Sequence, residues 1–130
     1  CERQEALTFE QLVSQPAGYN GKQVTVEGFY FSGFEIASLS EELVASTYRP
    51  ENVTPRQPLI WITGNLGEDV YDHLYEQTDT PSGYAEHYGK IRVSGTFHYG
   101  GKYGHLDAYE YQLTVSSAEL LPWSPPGSQS

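Results

Sequence analysis

One cysteine, no methionine and seven basic residues are the scarcities of this 130-residue chain. A single cysteine excludes an internal disulfide, so burial and hydrogen bonding must hold the fold. No apolar run approaches the roughly 20 residues that a membrane-spanning helix needs. Lys and Arg total 7 against 17 Asp and Glu, which leaves a net charge of −10, and the basic residues are scattered. Nucleic-acid binding needs a basic footprint to neutralise phosphates, so nucleic acid is excluded as a partner. Catalytic motifs are missing too. There is no G-x-S-x-G and no H-E-x-x-H, and Gly100-Gly101-Lys102 lacks the strand-to-helix context of a phosphate loop. The adjacent acids Glu41-Glu42 and Glu68-Asp69 read as solvated pairs. The chain is therefore expected not to be an enzyme; a hydrolase site hidden among the acids is the weakest of the function classes.

Aromatic residues are plentiful: eleven Tyr, five Phe and two Trp. Tyrosine at this density suits β-sheets and binding surfaces better than helix bundles. The acids are unevenly spread. Six fall between Glu68 and Glu86, with no Lys or Arg among them. This charge implies a soluble surface or, more sharply, a cationic partner such as a metal ion, a basic peptide or a polyamine.

The order of elements follows from local signals. Thr8-Phe9-Glu10-Gln11 matches a capping box and predicts a short helix through about Ser14, ended by Pro16. Tyr19-Asn20-Gly21-Lys22 is a turn that feeds a first strand from Gln23 to about Ser32, where Val24 and Val26 alternate with Thr25 and Glu27. A second strand covers Glu35 to Leu39, and Ser40 to Val44 reads as a helical turn. Tyr48 to Pro58 carries Pro50, Pro55 and Pro58 and reads as loop. Leu59 to Ile62 is a short strand, apolar on both faces and hence central. Glu68 to Gln77 is a possible acidic helix, and Thr78 to Gly83 is loop. Lys90 to Phe97 alternates cleanly, with Ile91, Val93 and Phe97 on one face. Gly100-Gly101 and Gly104 form a hairpin loop, and a last strand runs from His105 to about Val115. The expected fold is all-β with minor α: a five-stranded Greek-key barrel of OB type, with a short N-terminal helix and an acidic insertion. Residues 1–7 form a tether, 8–123 the barrel domain and 124–130 a disordered tail.

Two stretches carry a family resemblance. The first is Leu12 to Leu39, with Tyr19-Asn20-Gly21-Lys22, Val24-Thr25-Val26-Glu27-Gly28, Glu35 and Leu39. The second is Val93-Ser94-Gly95-Thr96-Phe97 with Gly104-His105-Leu106 and Leu113. Over about half its length the chain resembles bacterial exported OB-fold lipoproteins, mostly of unassigned function. The resemblance implies an extracytoplasmic five-stranded barrel and supplies no catalytic motif. Cys1, followed by Glu2-Arg3-Gln4-Glu5, resembles the mature N-terminus of a lipoprotein, whose first cysteine carries the acyl chains; the alternative is a chain boundary that falls at a cysteine by chance. Lipidation at Cys1 would anchor the domain to a membrane in the periplasm or at the cell surface. In a Gram-negative host, Glu2 in place of Asp resembles the signal for the outer membrane.

The candidate binding region is the hairpin from His98 to Asp107. His98 and His105 should lie near each other across it with Asp107 beyond, and Tyr99 and Tyr103, with Tyr109 and Tyr111, add aromatic surface. Glu35 would complete the region if the first coil of the barrel packs there; equally, Glu35 and His105 could simply pair. The leading expectation is a non-catalytic, lipid-anchored binding or assembly module, whose partner is another envelope protein or a cationic ligand. The alternative is a metal-binding protein that holds Zn²⁺ or Cu²⁺ with His98, His105 and an acid. Otherwise no cofactor is expected.

Overall fold

A computed structural model describes residues 7–33, 36–46, 52–56, 58–78, 80, 83–103 and 109–123, with the backbone alone at Tyr103. The predicted capping box is present. Thr8 Oγ1 accepts from the Gln11 backbone N–H at 3.1 Å, and Gln11 Oε1 accepts from the Thr8 N–H at 2.8 Å. These bonds open α1 (Phe9–Ser14), whose Phe9 and Leu12 are buried in the core. Pro16 does more than stop that helix: it is the first residue of α2 (Pro16–Tyr19), where its missing N–H costs nothing. Leu7 already belongs to the fold. It bridges to Val26 in parallel, and its N–H donates to Thr25 O at 2.6 Å.

The described residues are mostly β. The strands are β1 (Gln23–Gly33), β2 (Ile36–Ser40), β3 (Leu43–Ala45), β4 (Val53–Pro55), β5 (Ile60–Thr63), β6 (Tyr75–Gln77), β7 (Glu86–Tyr103) and β8 (Tyr109–Leu120), and α3 (Glu68–Asp72) lies between β5 and β6. Five of the strands pair in a ring. β1 pairs with β2, β2 with β5, β5 with β8, β8 with β7, and β7 with β1 again. All these contacts are antiparallel except β5 with β8. Each expected strand is found over the described residues, with β7 and β8 longer than their alternating segments; the expected starts at Glu35 and His105 lie outside the described residues.

Three other short elements differ from expectation. Ser40 to Val44 is not a helical turn, and the proline-rich stretch after Tyr48 is not all loop: Leu43–Ala45 and Val53–Pro55 pair as a two-stranded ribbon. Ser40 explains the first difference. Its buried hydroxyl lies 2.7 Å from Arg56 O and 2.9 Å from Glu42 O, and accepts from the N–H of Glu42 and of Arg56, tying the two strands of the ribbon together at one end. The acidic helix stops at Asp72, and Tyr75–Gln77 becomes a strand on the edge of β7. Val70 is the only buried residue of α3, too little apolar surface to hold a longer helix in place.

The core lies inside the ring. Val24, Val26 and Tyr30 of β1, Leu39 of β2, Ile60 and Ile62 of β5, Ile91, Val93 and Phe97 of β7 and Leu113 of β8 point inward, joined by Phe9, Leu12, Leu66 and Val70. A second, smaller cluster sits outside, where the ribbon's Leu43 and Val53 cover Phe31 and Tyr88. Trp123 closes this side, edge-on to Phe29 with ring centres 4.9 Å apart. On the remaining outer surface of β1, β7 and β8, Arg92 bridges Glu27 at 2.6 Å and Glu119 at 2.9 Å.

Two consequences are measurable. A register shift at Ser94/Gly95 lets β7 coil, and a Cβ on Gly95 would stand 2.1 Å from the Thr114 carbonyl oxygen. Gly95→Ala should therefore destabilise the protein by about 1–3 kcal/mol in urea unfolding, whereas Gly18→Ala, in open space on α2, should be neutral or stabilising. Tyr30 is 5% exposed, and burial holds its phenol above the ordinary 10.0; a hydrogen bond with Ser32 opposes the rise and Tyr71 adds to it. Above that ordinary value the unfolded chain loses the proton that the folded chain keeps. The Tyr30 contribution is thus intact below about pH 10 and is lost as pH rises towards the folded value. Urea midpoints should fall above about pH 10, and fall less steeply in Tyr30→Phe.

Candidate functional site

β7 and β8 run on together beyond the core as a two-stranded arm. Phe97 pairs with Leu113, both fully buried, and the next pairs are His98 with Gln112, Tyr99 with Tyr111, and Tyr103 with Tyr109. The hairpin loop expected at Gly100-Gly101 is instead strand. Gly100 takes φ 96°, which a side chain would resist, and the register shifts between Tyr99 and Tyr103, so the arm absorbs the glycines as an irregularity and continues.

Alternation gives the arm two faces. One continues the core outward as an aromatic stack. Phe97 and Tyr111 lie 6.1 Å apart between ring centres, and Tyr111 and Tyr99 5.5 Å apart, both pairs at 25°. The Tyr99 backbone N–H donates to Asn20 Oδ1 at 2.9 Å, which fastens the arm to the turn after α2. The other face carries His98 and Gln112. Register extends this row across the ring: Gln112 aligns with Trp61 on β5, and Trp61 with Ser38 on β2. Trp61 is half-buried and packs on Tyr109 at 5.0 Å with the rings tilted by 54°. Burial raises the Tyr109 phenol above its ordinary value. It does the same at Tyr111, with Glu110 and Tyr99 adding to the rise. These phenols are therefore neutral hydrogen-bonding groups at physiological pH.

Of the expected site residues, His98 and Tyr99 are brought together on adjacent positions of one strand, facing opposite ways. Tyr103 is placed opposite Tyr109 by the backbone. Cys1, Glu35, His105 and Asp107 lie outside the described residues. The remaining histidines stand elsewhere: His73 Nδ1 is 2.8 Å from Asp69 O, and His87 Nε2 is 3.6 Å from Glu76 Oε2. Among the described residues, no group of three or more His, Cys, Asp and Glu could hold a metal ion.

No local sequence signal marks Trp61 or Gln112 as part of this surface. The run Leu59 to Ile62 suggests burial on both faces, but its strand alternates between buried and half-buried positions, and the tryptophan is on the half-buried side. The arrangement offers flat aromatic surface beside amide, imidazole and hydroxyl groups, a combination suited to stacking and hydrogen bonding. No family model, curated protein or solved structure matches this chain. Because Tyr111 stacks on both Phe97 and Tyr99, Tyr111→Ala should cost about 1–3 kcal/mol from the two stacks. A urea midpoint unchanged from wild type would mean the stack contributes nothing.

Proposed function

We propose that this chain is a non-catalytic binding or assembly module built on a five-stranded Greek-key barrel of OB type. The observation that carries the proposal is the ring order β1-β2-β5-β8-β7, in which β1 meets both β2 and β7. Closure in this order, with one parallel contact, suits an OB-type barrel, and α3 falls in the connection between the third and fourth ring strands. In barrels of this type, ligands use the face of the second and third strands and the loops beside it, including the one between the fourth and fifth. Trp61 lies half-buried on that face here, next to the buried Ser38, and the arm of β7 and β8 leads into that loop. A net charge of −10 disfavours phosphate-bearing ligands, so the tyrosines and Trp61 favour stacking on sugar rings or on peptide side chains.

The module works outside the cytoplasm, tethered through acylated Cys1. Leu7 is already hydrogen-bonded into the fold, so the six residues before it would keep the barrel within about 20 Å of a membrane surface, at roughly 3.3 Å per residue. The partner is then an envelope protein or another envelope component.

A photo-crosslinking residue placed at Gln112 or His98 should give adducts in a bacterial envelope, and the same residue at Glu10 of α1 should not. No adduct at either arm position, or equal yields at all three, would overturn the assignment. Intact mass of the native protein should show acyl chains on Cys1, and a free thiol there would remove the tether. The melting temperature should be unmoved by Zn²⁺ or Cu²⁺; a rise that disappears in His98→Ala would instead favour the metal site of His98, His105 and an acid.

A further inference from the structure

Away from the arm, at the start of β7, a single carboxylate is held in place with unusual care. Gln77 on β6 is 7% exposed and pairs in register with Glu86. Both ends of its side-chain amide are bonded. Oε1 accepts from the Val53 N–H at 2.9 Å, and Nε2 donates to Val53 O at 2.9 Å and to Glu86 Oε1 at 2.7 Å. A buried amide is tolerable when both ends are bonded in this way. The bonds fix the ribbon strand β4 to β6 and, through the last of them, fix one oxygen of the Glu86 carboxylate. Gly33 completes the seat. A Cβ at that position would lie 2.8 Å from Glu86 Cγ, so the missing side chain gives the glutamate its room against β1.

Glu86 lines a half-open cavity of about 270 Å³ whose other walls are Phe31, Ile36, Val53, Pro55 and Leu59 with Ser46 and Thr54. The described ion pairs join Arg56 to Glu41 and Glu42, His87 to Glu76, and Arg92 to Glu27 and Glu119; none reaches Glu86. Among the described lining residues, the cavity therefore presents one oriented carboxylate beside the apolar side chains of Phe31, Ile36 and Leu59, with the hydroxyl residues Ser46 and Thr54 also in its wall.

We propose that this cavity binds a primary alkylammonium group, with the –NH₃⁺ on the Glu86 carboxylate and the aliphatic stem against Phe31, Ile36 and Leu59. Charge sign and shape select that class. A compact cation is needed opposite one carboxylate, and a charge-assisted bond beside apolar walls is stronger than the same bond in open water. A hard metal ion is a poor occupant, because it takes six or more oxygens and Glu86 supplies two at most. The volume lies just below the range of drug-sized pockets, about 300–1,000 Å³, and suits a short chain of a few carbons. A free aliphatic amine and a lysine side chain share this chemistry.

Amide NMR of the intact chain separates the possibilities. Titration with n-pentylamine and, separately, with Nα-acetyl-lysine N-methylamide should shift the Gln77 side-chain amide and the Val53 and Phe31 backbone amides in a saturable way, while 1-pentanol should not. Saturation by the lysine derivative alone assigns a partner's lysine side chain, by pentylamine alone a free amine, and by both the shared group. Glu86→Gln preserves an oxygen acceptor for Gln77, so it should retain the wild-type melting temperature and spectrum yet bind the amine roughly tenfold or more weakly. The proposal is overturned if Glu86→Gln binds pentylamine as tightly as wild type, if 1-pentanol shifts the same amides equally, or if neither amine gives a saturable shift.

Discussion

The structure depends on β1 being paired along both edges at once. From Phe29 to Ser32 every residue has a partner on β2 and another on β7: Phe29 faces Ser40 and Lys90, Tyr30 faces Leu39 and Gly89, Phe31 faces Ser38 and Tyr88, and Ser32 faces Ala37 and His87. A strand flanked on both sides has fixed faces, since sliding either neighbour by one residue would turn its buried set outward. The inward set is Val24, Val26 and Tyr30, and the outward set at the far end is Phe31 with Tyr88, which the ribbon of β3 and β4 then covers. Both hydrophobic clusters are thus placed by one strand. The earlier part of its free edge is taken by Leu7, so the N-terminal segment continues where β2 leaves off.

The same constraint orders the two regions with chemical potential. β7 is long enough to serve β1 from His87 to Thr96 and β8 from Ile91 to Tyr103, and what extends beyond β1 becomes the arm with Tyr99, Tyr111 and His98. At its start, β7 also carries β6, and this third pairing sets Gln77 beside Glu86 and Val53. The two regions lie at opposite ends of one strand and differ in kind. The arm offers aromatic planes with phenol, amide and imidazole groups. The cavity at Glu86 offers a fixed carboxylate beside a partly apolar wall.

Much of the ring was legible in the sequence because its strands alternate. Val24-Thr25-Val26-Glu27 and Ile91-Arg92-Val93-Ser94 declare their inward faces, and the capping box at Thr8 declares α1 to the residue. The ribbon was not legible. Leu43-Val44-Ala45 and Val53-Thr54-Pro55 are too short to show a period, and prolines mask the second; what makes them strands is the distant contact of Leu43 and Val53 with Phe31 and Tyr88, together with the hydroxyl of Ser40. Tyr75-Glu76-Gln77 fails in the same way, because acidic neighbours suggest a helix while pairing to Tyr88, His87 and Glu86 decides for strand. At the arm, glycine misled: Gly100-Gly101 has turn composition, yet the strand pairs beyond it to Tyr103. Trp61 joined the row of His98 and Gln112 only through the parallel contact of β5 with β8, which no local pattern announces. The seat of Glu86 was hidden for the same reason, since Gly33, Gln77 and Glu86 meet only in three dimensions.

Closure of the ring is the central claim, and the contact between β5 and β8 is the one that closes it. Cross-strand nuclear Overhauser effects between backbone protons of Ile62 and Leu113, measured together with those linking Val26 to Val93 and Tyr30 to Leu39, test it most directly. A closed ring gives all three in one sample, with the parallel pattern at Ile62 and Leu113 and slow amide exchange along both edges of β1. An absent Ile62–Leu113 effect, with fast exchange from Ile60 to Thr63, would mean an open sheet and no closed ring.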